Sequence, residues 1–134
     1  MRKWLKWTVI LLLTLFLAGC SVIAPEEERV PVDYTVAAAE EIPQELMNRI
    51  EKQKETPFQM QYSDQQYLYI AVGYGKQDAG GYSIEVQSVE ESEQELHIQT
   101  MLLGPEASEK LSEGASYPYI VLKMEGRDKV VIFH

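Results

Sequence analysis

The feature that most constrains the fold is the alternation of apolar and polar residues in the C-terminal half of the chain. In residues 82–87 apolar side chains occupy every second position, and residues 96–102 repeat the pattern, which puts His97 on the polar side. A period of two is typical of an antiparallel strand with one buried face and one solvated face. Further strands are predicted at residues 58–62, 67–72, 119–124 and 130–133.

Turn-forming residues separate the predicted strands. The acidic run 90–95 predicts a hairpin connection, and Gly104-Pro105 predicts the end of a strand. Residues 105–111 predict a short helical turn. Near the end of the chain, Gly126-Arg127-Asp128 predicts a tight turn that joins the last two strands as a hairpin.

One amphipathic helix precedes the strands. Ile42, Leu46 and Ile50 recur at a spacing of four residues and form an apolar stripe, and Pro43 suits the first turn of a helix. A single helix of this length is unstable alone, so the stripe is expected to pack on the strands. The predicted fold class is therefore mainly β, a small antiparallel sandwich or partly open barrel with one N-terminal amphipathic helix.

The first twenty residues resemble the type II signal peptide of a bacterial lipoprotein. Three basic residues precede an apolar stretch, residues 7–17, that is too short to span a bilayer. The stretch ends in Leu17-Ala18-Gly19-Cys20, which is similar to a lipobox. The resemblance implies that residues 1–19 are removed and that Cys20 carries a diacylglycerol. The protein would then be anchored in the cell membrane, facing outside the cytoplasm.

The rest of the chain is predicted to be an acidic tether, residues 20–38, followed by one domain, residues 39–134. Because Cys20 is the single cysteine, no intramolecular disulfide is available. Cleavage would remove three of the twelve basic residues and none of the 21 acidic ones, so the formal net charge would fall from −9 to −12. Such acidity argues against nucleic-acid binding, which needs basic residues to neutralise phosphate.

Residues typical of catalysis or metal binding are scarce. The only histidines are His97 and His134, and with Cys20 lipidated no thiol remains as a ligand, so no metal and no cofactor is expected. A hydrolase that uses His97 or a carboxylate has no supporting local motif. The sequence therefore favours a protein that is not an enzyme.

Two turn-rich segments with tyrosines are the best candidates for binding a partner protein. The residues expected to contact it are Gly80, Gly81, Tyr82, Ser116, Tyr117, Pro118 and Tyr119. Tyrosines on loops are frequent in protein interfaces, because their rigid rings bind well. The alternative is that these tyrosines cap the ends of the core and that the glycines only serve the turn.

The same residues carry a resemblance to a family. Ala71-Val72-Gly73-Tyr74-Gly75, Gly80-Gly81-Tyr82-Ser83-Ile84 and Ser116-Tyr117-Pro118-Tyr119, in this order, resemble the C-terminal domain of PrcB-type protease complex subunits. The resemblance covers residues 66–134. It implies a non-catalytic subunit that helps to form or stabilise an extracytoplasmic protease complex.

Two other functions remain open at this stage. Ala79–Tyr82 and Tyr117–Tyr119 are also similar to loops of chagasin-type inhibitors of cysteine proteases, but the Asn-Pro-Thr stretch, the tryptophan and the arginine of that family's loops are missing. A structural envelope lipoprotein without a protease partner would carry the same anchor and the same β domain.

Overall fold

The computed structural model describes Gly19, residues 26–106 and residues 113–134. The predicted signal peptide apart from Gly19, the lipidation site Cys20, and the helical turn predicted over 105–111 apart from its first two residues lie outside the described residues.

The described chain forms two four-stranded sheets and one α-helix. The strands are β1 (Val30–Pro31), β2 (Thr35–Val36), β3 (Pro57–Ser63), β4 (Tyr67–Tyr74), β5 (Ser83–Glu91), β6 (Glu95–Leu103), β7 (Tyr119–Glu125) and β8 (Val130–Phe133). The first sheet has the order β1-β5-β6-β8 and the second the order β2-β7-β4-β3. The helix α1 (Gln44–Gln53) follows a short 3-10 turn, Ala39–Glu41. The predicted mainly β fold is confirmed, as a sandwich rather than a barrel.

The main core lies between the two sheets. On β4, Leu68, Ile70 and Val72 face the first sheet and meet the inward side chains of β5 and β6, such as Val89 and Ile98. Fully burying an aliphatic side chain of this size contributes about 1.5–3 kcal/mol to stability. This contact explains the alternation along β5 and β6, because each strand turns one face to the opposite sheet.

A second apolar layer joins α1 to the outer face of the second sheet. Leu46 and Ile50 have no exposed surface and pack with Phe58, Tyr69 and Val121. The helical stripe is thus core, as predicted, and β4 is buried on both faces. No helix in the described part of the chain is long and apolar enough to cross a membrane.

The predicted hairpin of the last two strands is wrong. β7 belongs to the second sheet, while β8 pairs in parallel with β6 in the first sheet, from Glu95↔Val130 to Ile98↔Phe133. Packed sheets lie about 10 Å apart, and the four residues between Glu125 and Val130 can reach about 13 Å when extended, so the chain crosses between sheets.

Ion pairs hold this crossing in place. Glu91, at the end of β5, accepts a hydrogen bond from Arg127 at 2.6 Å and lies 3.0 Å from Lys129 Nζ. Lys129 also donates to the carbonyl of Ser92 at 2.7 Å. Arg127 of the predicted turn and the following Lys129 therefore stabilise the connection between the sheets and do not close a hairpin.

The predicted tether enters the fold earlier than expected. Val30 pairs with Glu91 of the first sheet, and Thr35 pairs with Lys123 of the second. Between these strands Val32 is buried in the main core. Two-residue strands are too short to show a period of two, which is why residues 30–38 gave no strand signal in the sequence.

Candidate functional site

The two segments predicted to bind a partner lie side by side at one end of the sandwich. Gln77 and Ser116 form an isolated antiparallel bridge, in which each backbone N–H donates to the other carbonyl, at 2.8 and 3.0 Å. The Ser116 hydroxyl donates to the carbonyl of Ala79 at 2.6 Å. Residues 75–82 and 113–118 are called the loop end from here on.

The pairing of β4 with β7 determines this arrangement. Gly73 lies opposite Tyr119, and beyond this pair the N–H of Tyr74 donates to the carbonyl of Pro118 at 3.1 Å. Proline has no N–H, and it is tolerated just before a strand begins. The two loops thus continue the ladder of β4 and β7 and are held close to each other.

Three glycines of the loop end, Gly75, Gly81 and Gly114, have a positive φ. Gly75 has a φ of 76°, and a Cβ there would lie 2.9 Å from the ring of Pro57. Gly81 has a φ of 87°, so it is the member of the Gly80-Gly81 pair that needs the left-handed region. This turn reverses the chain into β5.

The predicted tyrosines fall into two groups. Tyr119 packs in the apolar layer between α1 and the second sheet, and its hydroxyl lies 3.8 Å from Met47 Sδ. Tyr119 therefore has a structural role. Tyr82 and Tyr117 are half-buried on the loop end. Each keeps part of its ring surface exposed.

A cation lies beside one of these rings. Lys54 Nζ is 5.3 Å from the centre of the Tyr117 ring, and it also donates to the Glu51 carboxylate at 2.7 Å. The hydrogen bond to Glu51 raises the pKa of Lys54 above its ordinary value. The amine and the Glu51 carboxylate therefore form an ion pair beside the Tyr117 ring.

A groove of about 400 Å³ opens between the sheets next to the loop end. Its walls include Pro57 and Gln59 of β3, Tyr74 of β4, Thr100 of β6 and His134. The hydroxyls of Tyr74 and Thr100 share a hydrogen bond of 2.7 Å across the groove. The sequence does not predict this groove, because its walls come from β3 and β4, from β6 and from His134, which are far apart in the chain.

His97 is buried, and the prediction that it lies on a solvated face is wrong. Its side chain is covered by the ring of His134, which stacks at 5.2 Å and makes a hydrogen bond of 2.8 Å between His134 Nε2 and His97 Nδ1. The other nitrogen, Nε2, is 3.0 Å from a Glu95 oxygen but makes no hydrogen bond. In the described residues, neither ring nitrogen of His97 makes a hydrogen bond to a hydroxyl group.

Metal chemistry has no evident site in the residues described. Within residues 26–106 and 113–134, no group of three or more His, Cys, Asp or Glu side chains is arranged to hold a metal ion.

A tyrosine cluster at the opposite end of the second sheet also escaped sequence reasoning. The ring of Tyr69 lies 6.3 Å from that of Tyr62 and 6.5 Å from that of Tyr67, and Lys123 Nζ is 4.3 Å above Tyr67. Burial raises the pKa of Tyr69. The signal was the Tyr-Leu-Tyr spacing in β4, which places both rings on the helix side. These contacts belong to the helix layer.

Comparison with known proteins identifies one region of the chain. Residues 68–125 match the family model described as PrcB C-terminal. The match begins in β4 and ends with β7, and it includes Gly80–Tyr82 and Ser116–Tyr119. It confirms the resemblance predicted from those segments. No curated protein and no solved structure matches the chain.

Proposed function

We propose, from the membership of residues 68–125 in the PrcB C-terminal family, that this protein is a non-catalytic subunit of an extracytoplasmic protease complex. The family is associated with protease complexes in general. The observation that carries the proposal is the position of the loop end inside the matched region. Its two segments, each part of the family pattern, are hydrogen-bonded into one surface.

The lipid anchor is the second part of the proposal. A diacylglycerol on Cys20 would hold the protein on the outer side of the cell membrane. From Cys20 to the first paired residue, Val30, there are ten residues, which reach about 35 Å when extended. The β domain would therefore act on partners close to the membrane surface.

The contact surface is proposed to be centred on Tyr82 and Tyr117. Both rings are half-buried, so they are held in place and lose little conformational entropy on binding. Gly81 next to Tyr82 is exposed and lets a partner backbone approach closely. Tyrosines in such positions often contribute 2 kcal/mol or more to binding, roughly a thirtyfold change in affinity.

The test is a pull-down of extracytoplasmic proteases by the membrane-anchored protein. Tyr82→Ala and Tyr117→Ala should each lower the amount of captured protease at least tenfold, with circular dichroism unchanged. Tyr34→Ala is the matched control, because Tyr34 is exposed near β2, away from the loop end. If both loop variants capture protease like wild type, the surface is wrongly assigned.

The same experiment separates the proposal from one of its two alternatives, a structural envelope lipoprotein without a protease partner. A structural envelope lipoprotein would capture no protease in the wild-type form, and loop substitutions would then change only stability. Absence of any protease from the wild-type capture, after crosslinking in intact cells, would reject the proposed function.

A further inference from the structure

β6 is longer than β8, which pairs with it on the side opposite to β5. β8 pairs with β6 from Glu95 to Ile98, but β6 continues to Leu103. Along residues 99–103 the neighbour on one side is β5, and no strand in the described part of the chain lies on the other side. This stretch is called the β6 edge.

The β6 edge presents backbone groups at a regular spacing. The N–H of His134 donates to the carbonyl of Ile98 at 2.9 Å, so the backbone groups of Ile98 point towards β8. Successive residues of a strand point their backbone groups to opposite sides. Thr100 and Leu102 therefore direct their N–H and C=O groups away from β5. His134 lies next to Thr100 on that side, and beyond His134 only an extended polypeptide matches the spacing of these groups.

Beside this edge lies the groove between the sheets. The groove opens past the end of β8, with Thr100 of the β6 edge on one wall and Pro57 of β3 on another. A strand added in line with β8 would cover it and place an inward side chain against Tyr74 and Thr100. An edge with an adjoining pocket is the arrangement by which strand addition gains sequence selectivity.

The β6 edge lacks the features that usually protect a sheet edge. Residues 98–103 contain no charge and no proline, and Met101 and Leu103 are 40% and 37% exposed on the outer face. The open edge of β5, by contrast, has a bulge between Val86 and Ser88 and a charge at Glu85. The edge of β3 begins with Pro57 and exposes glutamines, with no large exposed apolar residue.

Charge distinguishes between a second copy and a different protein as the occupant. The strand segments around the β6 edge, residues 83–89 and 96–103, contain one glutamate, Glu85, and no lysine or arginine. Glu85 pairs with Met101, so its carboxylate lies beside the β6 edge on the outer face. Two copies joined at this edge would bring their Glu85 carboxylates within about 15 Å of each other, with no lysine or arginine on β5 or β6 to offset them. A basic partner would be attracted instead.

We infer that the β6 edge binds an extended segment of a partner protein as an added strand, one that alternates apolar residues with lysine or arginine. This inference rests on the proposed function, since it specifies how the partner protein is bound. Leu103 pairs with Ser83, the residue after Tyr82, so the β6 edge reaches the loop end. One partner can therefore contact both.

The test uses a defined probe, the fluorescein-labelled peptide Lys-Val-Arg-Val-Lys-Val, at millimolar concentration against the full chain. In amide NMR spectra the largest shifts should fall on Thr100 and Leu102, with smaller shifts at Met101. The same peptide methylated on alternate backbone nitrogens, and its glutamate counterpart, should each bind at least tenfold more weakly. Absence of binding of the unmodified peptide to wild type, or shifts confined to other strands, would overturn the inference.

Substitutions separate the backbone contribution from side-chain effects. Thr100→Pro removes one outward N–H and should weaken peptide binding about tenfold. Thr100→Val keeps that N–H and should bind within threefold of wild type. Met101→Lys leaves every backbone group in place and should weaken the basic peptide while strengthening its glutamate counterpart. Equal binding by Thr100→Pro and Thr100→Val, or no change for Met101→Lys, would contradict strand addition.

Pull-down with the same variants distinguishes this inference from the proposed function. If wild type and Thr100→Pro capture protease equally, the protein has its proposed function but the β6 edge is not the binding surface. If no protease is captured and the peptide still binds at Thr100, the edge inference stands and the protease partner is rejected.

Discussion

Replacing Glu91 by glutamine tests the physical account of how the two sheets are joined. The Glu91 carboxylate is 2.6 Å from Arg127 and 3.0 Å from Lys129, and the three side chains are 24%, 16% and 22% exposed. An exposed ion pair contributes about 0–1 kcal/mol, whereas removing one member of a buried pair costs about 3–5 kcal/mol. Since these groups are only partly exposed, we expect Glu91→Gln to lower the free energy of unfolding by about 2 kcal/mol.

Thermal and denaturant unfolding would measure this change. For a domain near 100 residues, about 2 kcal/mol corresponds to a fall in Tm of roughly 10 °C. The matched control is Glu51→Gln, because Glu51 pairs with Lys54 at 2.7 Å but the two side chains are 53% and 32% exposed. The control should change stability by less than about 0.5 kcal/mol.

The pH dependence provides a second measurement. Burial alone would raise the pKa of Glu91, but the hydrogen bond from Lys129 and the charge of Arg127 outweigh it, so the pKa lies below its ordinary value of 4.5. A lowered folded-state pKa gives stability that is fully present above the unfolded-state pKa and is lost as pH falls through the folded-state pKa. The stability difference between wild type and Glu91→Gln should therefore be constant above about pH 5 and shrink below pH 4.

Two outcomes would refute this reasoning. If Glu91→Gln and Glu51→Gln unfold at the same temperature, the contacts of Glu91 do not stabilise the crossing between sheets. If the difference from wild type stays constant down to pH 2, the stabilisation does not come from the ionised carboxylate.

The remaining predictions concern the helix layer and the anchor. Leu46→Ala should lower the free energy of unfolding by about 2–5 kcal/mol in a denaturant titration, because the Leu46 side chain of α1 is fully buried against the second sheet. Exposed Glu45 gives the control Glu45→Ala, and equal effects of the two substitutions would contradict the packing of α1 on the second sheet. Cys20→Ser should release the protein from the membrane fraction or block its processing, as measured by fractionation and blotting. A Cys20→Ser protein that remains in the membrane fraction like wild type would show that the anchor is not this cysteine.

Local sequence signals were sufficient for most strands and for the helix. β5 and β6 show alternation because one face of each lies against the second sheet. α1 shows an apolar stripe because Leu46 and Ile50 pack on the outer face of the second sheet. Where burial depends on partners far along the chain, prediction failed. His97 occupies a polar position by alternation, but His134 folds over it.

The candidate site divides in the same way. Tyr82 and Tyr117 could be chosen from the sequence, because tyrosines next to glycine and proline in turns are unusual enough to notice. The proximity of these two tyrosines could not be predicted from the sequence. It depends on the bridge between Gln77 and Ser116, and therefore on the register of β4 with β7. The β6 edge could not be predicted from the sequence, because a strand edge is exposed only where the neighbouring strand ends.

The sequence by itself determined the mainly β class, the single amphipathic helix, the acidity and the family resemblance, because each depends on residue types and on spacing within one segment. The tertiary structure decided which strands meet. It placed β8 beside β6 instead of β7 and brought residues 30–36 into both sheets. Among the described strands, it left none beside the β6 edge. The physical reason is that strand pairing is chosen by the competition of all faces and edges for burial and hydrogen bonds, and a period of two along one strand does not identify its neighbour.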